Sequence, residues 1–370
     1  MNMRISSLFL ASIVAFWSPA LAEEPHSDKR AHKEAETFNP SNFIIHHIAD
    51  AHEIHLWGHT HIPLPIILYS EKYGLDVFMS SAFEGHGEAR LAERPSGVTY
   101  ALSHGHISFH NPAHNHDHSH EGHGDHDHEG SHLYDMSITK SIFGMLLMMA
   151  LMLVLFSGMA RSYSKRPGQA PSGLTNAVEP LLFFIRDEVA APNIAPHKVD
   201  RFLPFLMTVF FFIFFANLLG LIPFVGGFNV TGTLGITMVM AAMVFVITTF
   251  NGNKHYWGHL FWPPGVPLFV MPIIIPIEIV GALLKPIVLM IRLTANISAG
   301  HIIILSFTSL VFIFGQGGDA LAAGYGVGVF STAFMIFMYC LELLVAFLQA
   351  FVFTLLAAIY FGEATQEAHH

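Results

Sequence analysis

Six residues in the last third of the chain could do chemistry together: Glu278, Lys285, Arg292, His301, Glu342 and Gln349. They sit in two apolar runs, 268–315 and 325–361, each long enough to cross a bilayer. Ionisable groups at such depth cost about 2.5–3.5 kcal/mol each on insertion scales, so by default they mark a working site. Arg292 is the most informative of them. A guanidinium keeps its proton, so it cannot relay protons by losing one. A permanent cation in a bilayer suits gating, repelling or pairing with something that passes.

The spacing of these residues separates them. If the two runs fold as an antiparallel hairpin, one register sets Arg292 level with Gln349, His301 with Glu342 and Glu278 with Glu363. On a helix, His301 stands about 13 Å from Arg292 along the axis and about half a turn round from it. Glu278 stands about 21 Å away in the other direction and within about 40° of the arginine's face. Two polar patches therefore flank a fixed charge. That is the layout of two half-channels that must not short-circuit.

The elements that position these residues can be read from composition. Of 370 residues 52% are hydrophobic and only 12% charged, where soluble domains carry about 25% charge. The chain reads as a polytopic membrane protein with a polar N-terminal third, and that third holds most of the net charge of -10. Nothing favours a nucleic-acid partner, and the sequence has no Walker-type glycine loop. The single cysteine, Cys340, rules out an intrachain disulfide.

Residues 1–22 read as a secretory signal: Arg4, a short apolar core, and Ala20-Leu21-Ala22 as a cleavage site before Glu23. This places 23–137 outside the cytoplasm. Segment 23–40 is charged, and 43–110 reads as short strands divided by Gly and Pro turns, a small β-rich region. Residues 104–132 form a disordered His-rich tract that could gather Zn or Ni loosely. It encodes no fixed ligand geometry, so no metal site is expected and a solvated loop is the simpler reading.

A membrane domain is expected over 138–363, with a cytoplasmic tail at 364–370. Its first span is 138–160, and Arg161, Lys165 and Arg166 follow, which the positive-inside rule places in the cytoplasm. An amphipathic interfacial helix is expected at 174–191. Spans follow at 202–225 and 232–250, where Asn217 reads as interhelical glue. Segment 251–266 returns to the cytoplasm. The last two runs exceed the roughly 20 residues a perpendicular helix needs, so they must tilt. The fold class is an all-α membrane protein of five transmembrane helices, including a long tilted antiparallel hairpin. The N-terminus lies outside and the C-terminus inside.

From about Asn176 to Glu363 the chain resembles the proton-channel subunit a of bacterial F-type rotary ATP synthases. The resemblance rests on NAVEPLLFFIRDEV, FANLLGLIPF, KPIVLMIRLTANISAGHIII and ELLVAFLQAFVFTLL. It implies that Arg292 is the essential stator arginine, with Asn296 and Gln349 as its polar neighbours. It also implies that Glu278 belongs to the cytoplasmic-side path. Some members carry an acidic residue where His301 stands and a histidine where Glu342 stands; here the two are exchanged, as in several other members. The implied partners are the c-ring, the subunit b stalk, membrane lipid and protons. The implied location is the inner membrane, and the implied role is a non-catalytic stator without a cofactor. The rival reading is a zinc transporter whose His-rich loop gathers metal. It needs several ligands converging in the membrane, where the spans hold one histidine and an arginine.

Overall fold

The computed structural model describes residues 50–57, 60–84, 89–95, 97–103, 105–110, 132–165, 173–222, 228–262, 267, 269–315 and 321–366. The secretory signal and the His-rich tract beyond His110 lie outside the described residues.

The N-terminal part is built of short antiparallel strands. Strands β1 (Glu53–Trp57) and β2 (Thr60–Pro63) form a hairpin; β3 (Pro65–Ser70), β4 (Gly74–Met79) and β8 (Leu133–Asp135) form a sheet in the order β4-β3-β8; β5 (Ala89–Glu93), β6 (Thr99–Ser103) and β7 (His106–Phe109) form another. Alternation sends Ile66, Leu68, Phe78, Tyr100 and Leu102 into one core. The opposite face of the β3 sheet carries Tyr69 against both Leu75 and Tyr134, with Ile67 against Val77. That face is apolar yet exposed, Leu75 at 64% and Met136 at 67%. Residues 106–109, inside the expected strand region 43–110 and overlapping the start of the His-rich tract, pair as β7. The β region does not end at 110, because the three residues of β8 close its sheet from far along the chain.

Helix α1 (Lys140–Lys165) follows directly. The β region is fastened to its first turn. The Lys140 N–H donates to the Ala51 carbonyl at 2.8 Å, and the Ser141 N–H to the Asp50 carboxylate at 3.0 Å. Ile54 and Leu64 of the β region share a core with Met148 of α1 and with Ala216, Leu219, Phe228 and Val230.

The rest is helical. Helix α2 (Leu174–Phe184) runs through a π-helical turn, Ile185–Ala190, into the short α3 (Ala191–Asn193). Then come α4 (Pro196–Gly220), α5 (Leu234–Phe250), α6 (Lys254–Phe261), α7 (Met271–Gly315) and α8 (Leu321–Thr365). Among the described residues four helices, α1, α4, α7 and α8, are long and apolar enough to cross a membrane; α5 and α6, bent by 103° at their junction, make a fifth if taken as one span. Helix α4 starts earlier than the apolar run, with Pro196 at its first position, where a missing N–H costs nothing. Helix α8 also starts early: Leu321, Ala322 and Ala323, expected in a Gly-rich connector, are good helix formers and join it.

Helices α7 and α8 have 45 residues each, about 67 Å of helix against an apolar layer of about 30 Å. They form the expected long antiparallel hairpin. Phe307 stacks on Phe334 at 4.0 Å, and the Thr308 hydroxyl donates to the Met335 sulfur at 3.4 Å. On α8 the fully buried residues Ala346, Ala350, Phe353, Ala357, Phe361 and Ala364 make a seam, and α4 packs along it with Phe202 on Phe361 and Phe210 on Phe347. Small residues let helices approach where lipid supplies no hydrophobic drive between them. Lys198 of α4 closes the end of this seam by donating to the Thr365 carbonyl at 2.8 Å.

Candidate functional site

Arg292 lies on the exposed face of α7, one turn before the exposed Asn296. Leu289 and Leu293, about a quarter turn round the helix, are buried in the core while the arginine stays exposed. Among the described residues Arg292 makes no hydrogen bond or ion pair, and the phenol of Tyr360 is an electrostatic neighbour. Gln349 is buried in the α8 seam at 5% exposure. No hydrogen bond joins it to Arg292 among the described residues.

On one side of Arg292 stand His301 and Glu342. The Nε2 atom of His301 sits against Gly220 of α4, where a Cβ would come within 3.4 Å of it. The Glu342 carboxylate fills the space over Gly300, where a Cβ would overlap it. Two glycines thus make room for two titratable groups, and the α7–α8 hairpin brings both to one level. Polar groups continue around them. Thr231 donates to the Asn217 side-chain oxygen, Asn217 donates to the Ala346 carbonyl at 3.5 Å, and Thr237 and Thr294 share a hydrogen bond of 2.6 Å between α5 and α7. Asn217 therefore does tie helices together.

On the other side of Arg292 is a cavity of about 360 Å³ lined by Glu278, Lys285 and Glu363 of the hairpin, by His255 and His259 of α6, and by Gln366. The Lys285 ammonium pairs with the Glu363 carboxylate at 2.5 Å and stands over the Tyr360 ring at 4.9 Å. Sequence reasoning placed Glu278 and Glu363 together at this end but missed His255 and His259. These two stand four apart in a segment read as a connection. That spacing puts them on one helical face and was the available signal.

Among the described residues no group of three or more His, Cys, Asp or Glu could hold a metal ion.

The fold and the site define a polytopic α-helical membrane protein in which a long hairpin presents Arg292, without an ion-pair partner among the described residues, between two polar patches. The model of the ATP synthase A chain family matches residues 142–362, more than half of the sequence, and the chain belongs to that family. A second match, to a domain of unknown function (DUF8433), covers residues 43–136. The chain is similar to ATP synthase subunit a 2 of Chlorobaculum tepidum, 44% identical over 238 residues, which are 63% of this chain and 64% of that one. It is also similar to ATP synthase subunit a of Chloroherpeton thalassium, 38% identical over 64% of this chain and 69% of that one. To ATP synthase subunit a 2 of Chlorobium luteolum it is 42% identical over 64% and 70% of the two chains. The chain thus spans about two thirds of the length of these relatives.

Proposed function

We propose that this chain is the proton-conducting stator subunit of the membrane sector of a bacterial ATP synthase, and that it carries no catalytic chemistry itself. Its partners on this reading are a ring of c subunits, the subunit b stalk, lipid and protons. Residues 50–136 lie outside the cytoplasm, Arg161 and Lys165 lie inside, and the membrane is the inner membrane. The observation that carries the reading is Arg292: a cation on the exposed face of the hairpin, without an ion-pair partner among the described residues, between two separate polar patches. A charge held so is matched to an anion that arrives from outside the chain.

The arrangement works as follows. A proton enters from outside by way of His301 and Glu342 and neutralises a carboxylate on the ring. The neutral carboxyl crosses lipid at far lower cost than its anion would. The ring turns until the carboxyl reaches Arg292, where the guanidinium favours the anion and the proton leaves toward Glu278 and the cavity around it. Asn296 and Gln349 complete the polar surroundings of the arginine. The fixed cation also keeps protons from passing directly between the patches. The driving force is about 2.3 kcal/mol per charge per 100 mV.

The test is Arg292→Ala in the complete ATP synthase reconstituted in liposomes. Proton-driven ATP synthesis is expected to vanish, and Arg292→Lys to rescue it poorly, because a desolvated lysine gives up its proton. Coupled synthesis at the parent rate in the alanine variant would overturn the reading. The zinc-transporter alternative gains nothing from the described residues, which offer no metal-binding cluster.

A further inference from the structure

The junction between the β region and the membrane helices holds charges that the proposed path has not used. Asp50 and Lys140 both stand outside residues 142–362, so the family match assigns them nothing. The Asp50 carboxylate accepts the Ser141 N–H at 3.0 Å, and the Asp50 carbonyl lies 3.0 Å from where a Cβ on Gly105 would be, so the turn between β6 and β7 closes over it. Lys140 is pinned next to it by its own N–H on Ala51. The Ser141 hydroxyl accepts from Thr233, whose segment leads into α5. On the far side, the Phe228 carbonyl and His301 Nε2 both press on Gly220.

Asp50 and His301 are both electrostatic neighbours of Lys140. Among the described residues its ammonium has no ion pair. Nearby, the buried His52 faces the Asp135 carboxylate at 3.6 Å, and the buried side-chain oxygen of Asn229 has no hydrogen-bond partner among the described residues. Buried polar atoms are ordinarily paired, with protein or with ordered water. The unpaired Asn229 oxygen, beside Gly232 and next to the segment bonded to Ser141, is a place where ordered water would bind.

We propose that Asp50 and Lys140 form the outer mouth of the proton inlet, so that the β region supplies the first residues of the path to His301. This rests on the stator reading above. Asp50 draws cations to the opening. Lys140, one step inward, turns back bare metal cations, which need several oxygen ligands. A proton passes because it moves by exchange along hydrogen-bonded groups and needs no ligand shell.

The experiment uses the complete ATP synthase with Cys340→Ser and Lys140→Cys. The solubilised enzyme is treated with a charged methanethiosulfonate and reconstituted, and ATP-driven acidification of the liposomes is followed. Modification is expected to occur and to slow pumping at least fivefold, with recovery on adding dithiothreitol. The same treatment of Leu75→Cys, on the exposed strand face, should leave pumping unchanged. Asp50→Asn keeps an oxygen to accept the Ser141 N–H and removes the charge; it should slow pumping at least threefold in a normally assembled complex. If Lys140→Cys assembles but does not pump, recovery in Lys140→Arg supports the assignment, and failure of Lys140→Arg overturns it. A cysteine at 140 that stays unmodified, or that is modified without effect, overturns the mouth, as does Asp50→Asn pumping at the parent rate. Arg292→Ala separates the two levels: if it abolishes pumping while the mouth variants do not matter, the inference fails alone; if it pumps normally, the stator reading fails first.

Discussion

Gly300 shows how much a single missing side chain can decide. The Glu342 carboxylate occupies the place its Cβ would take. In Gly300→Ala the backbone need not move, because the obstructing atoms are the far end of a flexible side chain. The carboxylate would swing away from the level of His301 instead. The variant is expected to assemble in normal amount and to pump several-fold more slowly, though no titratable group is lost. Equal pumping rates for Gly300→Ala and the parent would show that the position of the carboxylate does not matter.

Asp135 carries a second residue-scale prediction. Burial alone would raise its carboxyl, but the facing His52, at 3.6 Å, and hydrogen bonds from Ser137 outweigh burial and hold it at about 2, below the ordinary 3.8. A depressed carboxyl stabilises the fold when ionised. Its contribution is complete above about pH 4, the unfolded value, and disappears as pH falls toward 2. Asp135→Asn should therefore speed hydrogen exchange of the β8 amides at pH 7, and the difference from the parent should close as pH falls through that window. A difference that stays constant from pH 7 to pH 3, or one that grows on acidification, would contradict this account.

The candidate site residues were legible because charge in an apolar run is costly and therefore conspicuous. Arg292, His301 and Glu342 were found that way. Gly220 and Gly300 were not, since a glycine in a membrane helix has many uses and only the packed structure shows which side chain it admits. Lys140 was passed over because it stands at the edge of a span, where a lysine is ordinary.

At the scale of elements, Gly362 sets the approach of α8 to the π-helical turn and α3. A Cβ there would overlap the backbone carbonyl of Asn193. Backbone cannot swing aside, so Gly362→Ala should separate the two elements at a cost of about 1–3 kcal/mol, the usual range for overpacking. The check is the melting of the detergent-solubilised subunit, or its yield in membranes, against the parent. Unchanged stability would mean that the helices slide past each other freely.

The elements differed in how plainly the sequence announced them. Long apolar runs gave the helices, and the interfacial segment at 174–191 closely anticipated α2 and its continuation to Asn193. Ends were harder, because Pro196 and the Ala322–Ala323 pair extend helices past the apolar runs that signal them. The buried seam of α8 was hidden altogether. Lipid and protein interior ask for the same residues, so neither side of the helix looks different in composition. Strand β8 lay beyond the expected strand region because its three residues are too few for an alternation pattern to stand out.

Over the whole molecule, the bond from Ser141 to Asp50 spans 91 residues of sequence. The β region begins and ends at the same place, and its sheet is completed only by β8, the last residues before α1. Synthesis runs the other way round from this closure. Strands β1 to β7 emerge first and have no partner for the free edge of β3, no cap for Asp50 to bind and no helix against which to bury Ile54 and Leu64. Bringing the ends of so long a segment together costs entropy that grows only slowly with its length, so the segment can wait open at modest cost. It can shut only when the first span is in place. The contacts of Asp50, Ile54 and Leu64 thus wait for α1, and a chain stalled ahead of Leu133 would hold exposed strand edges, the surfaces on which chaperones and proteases act.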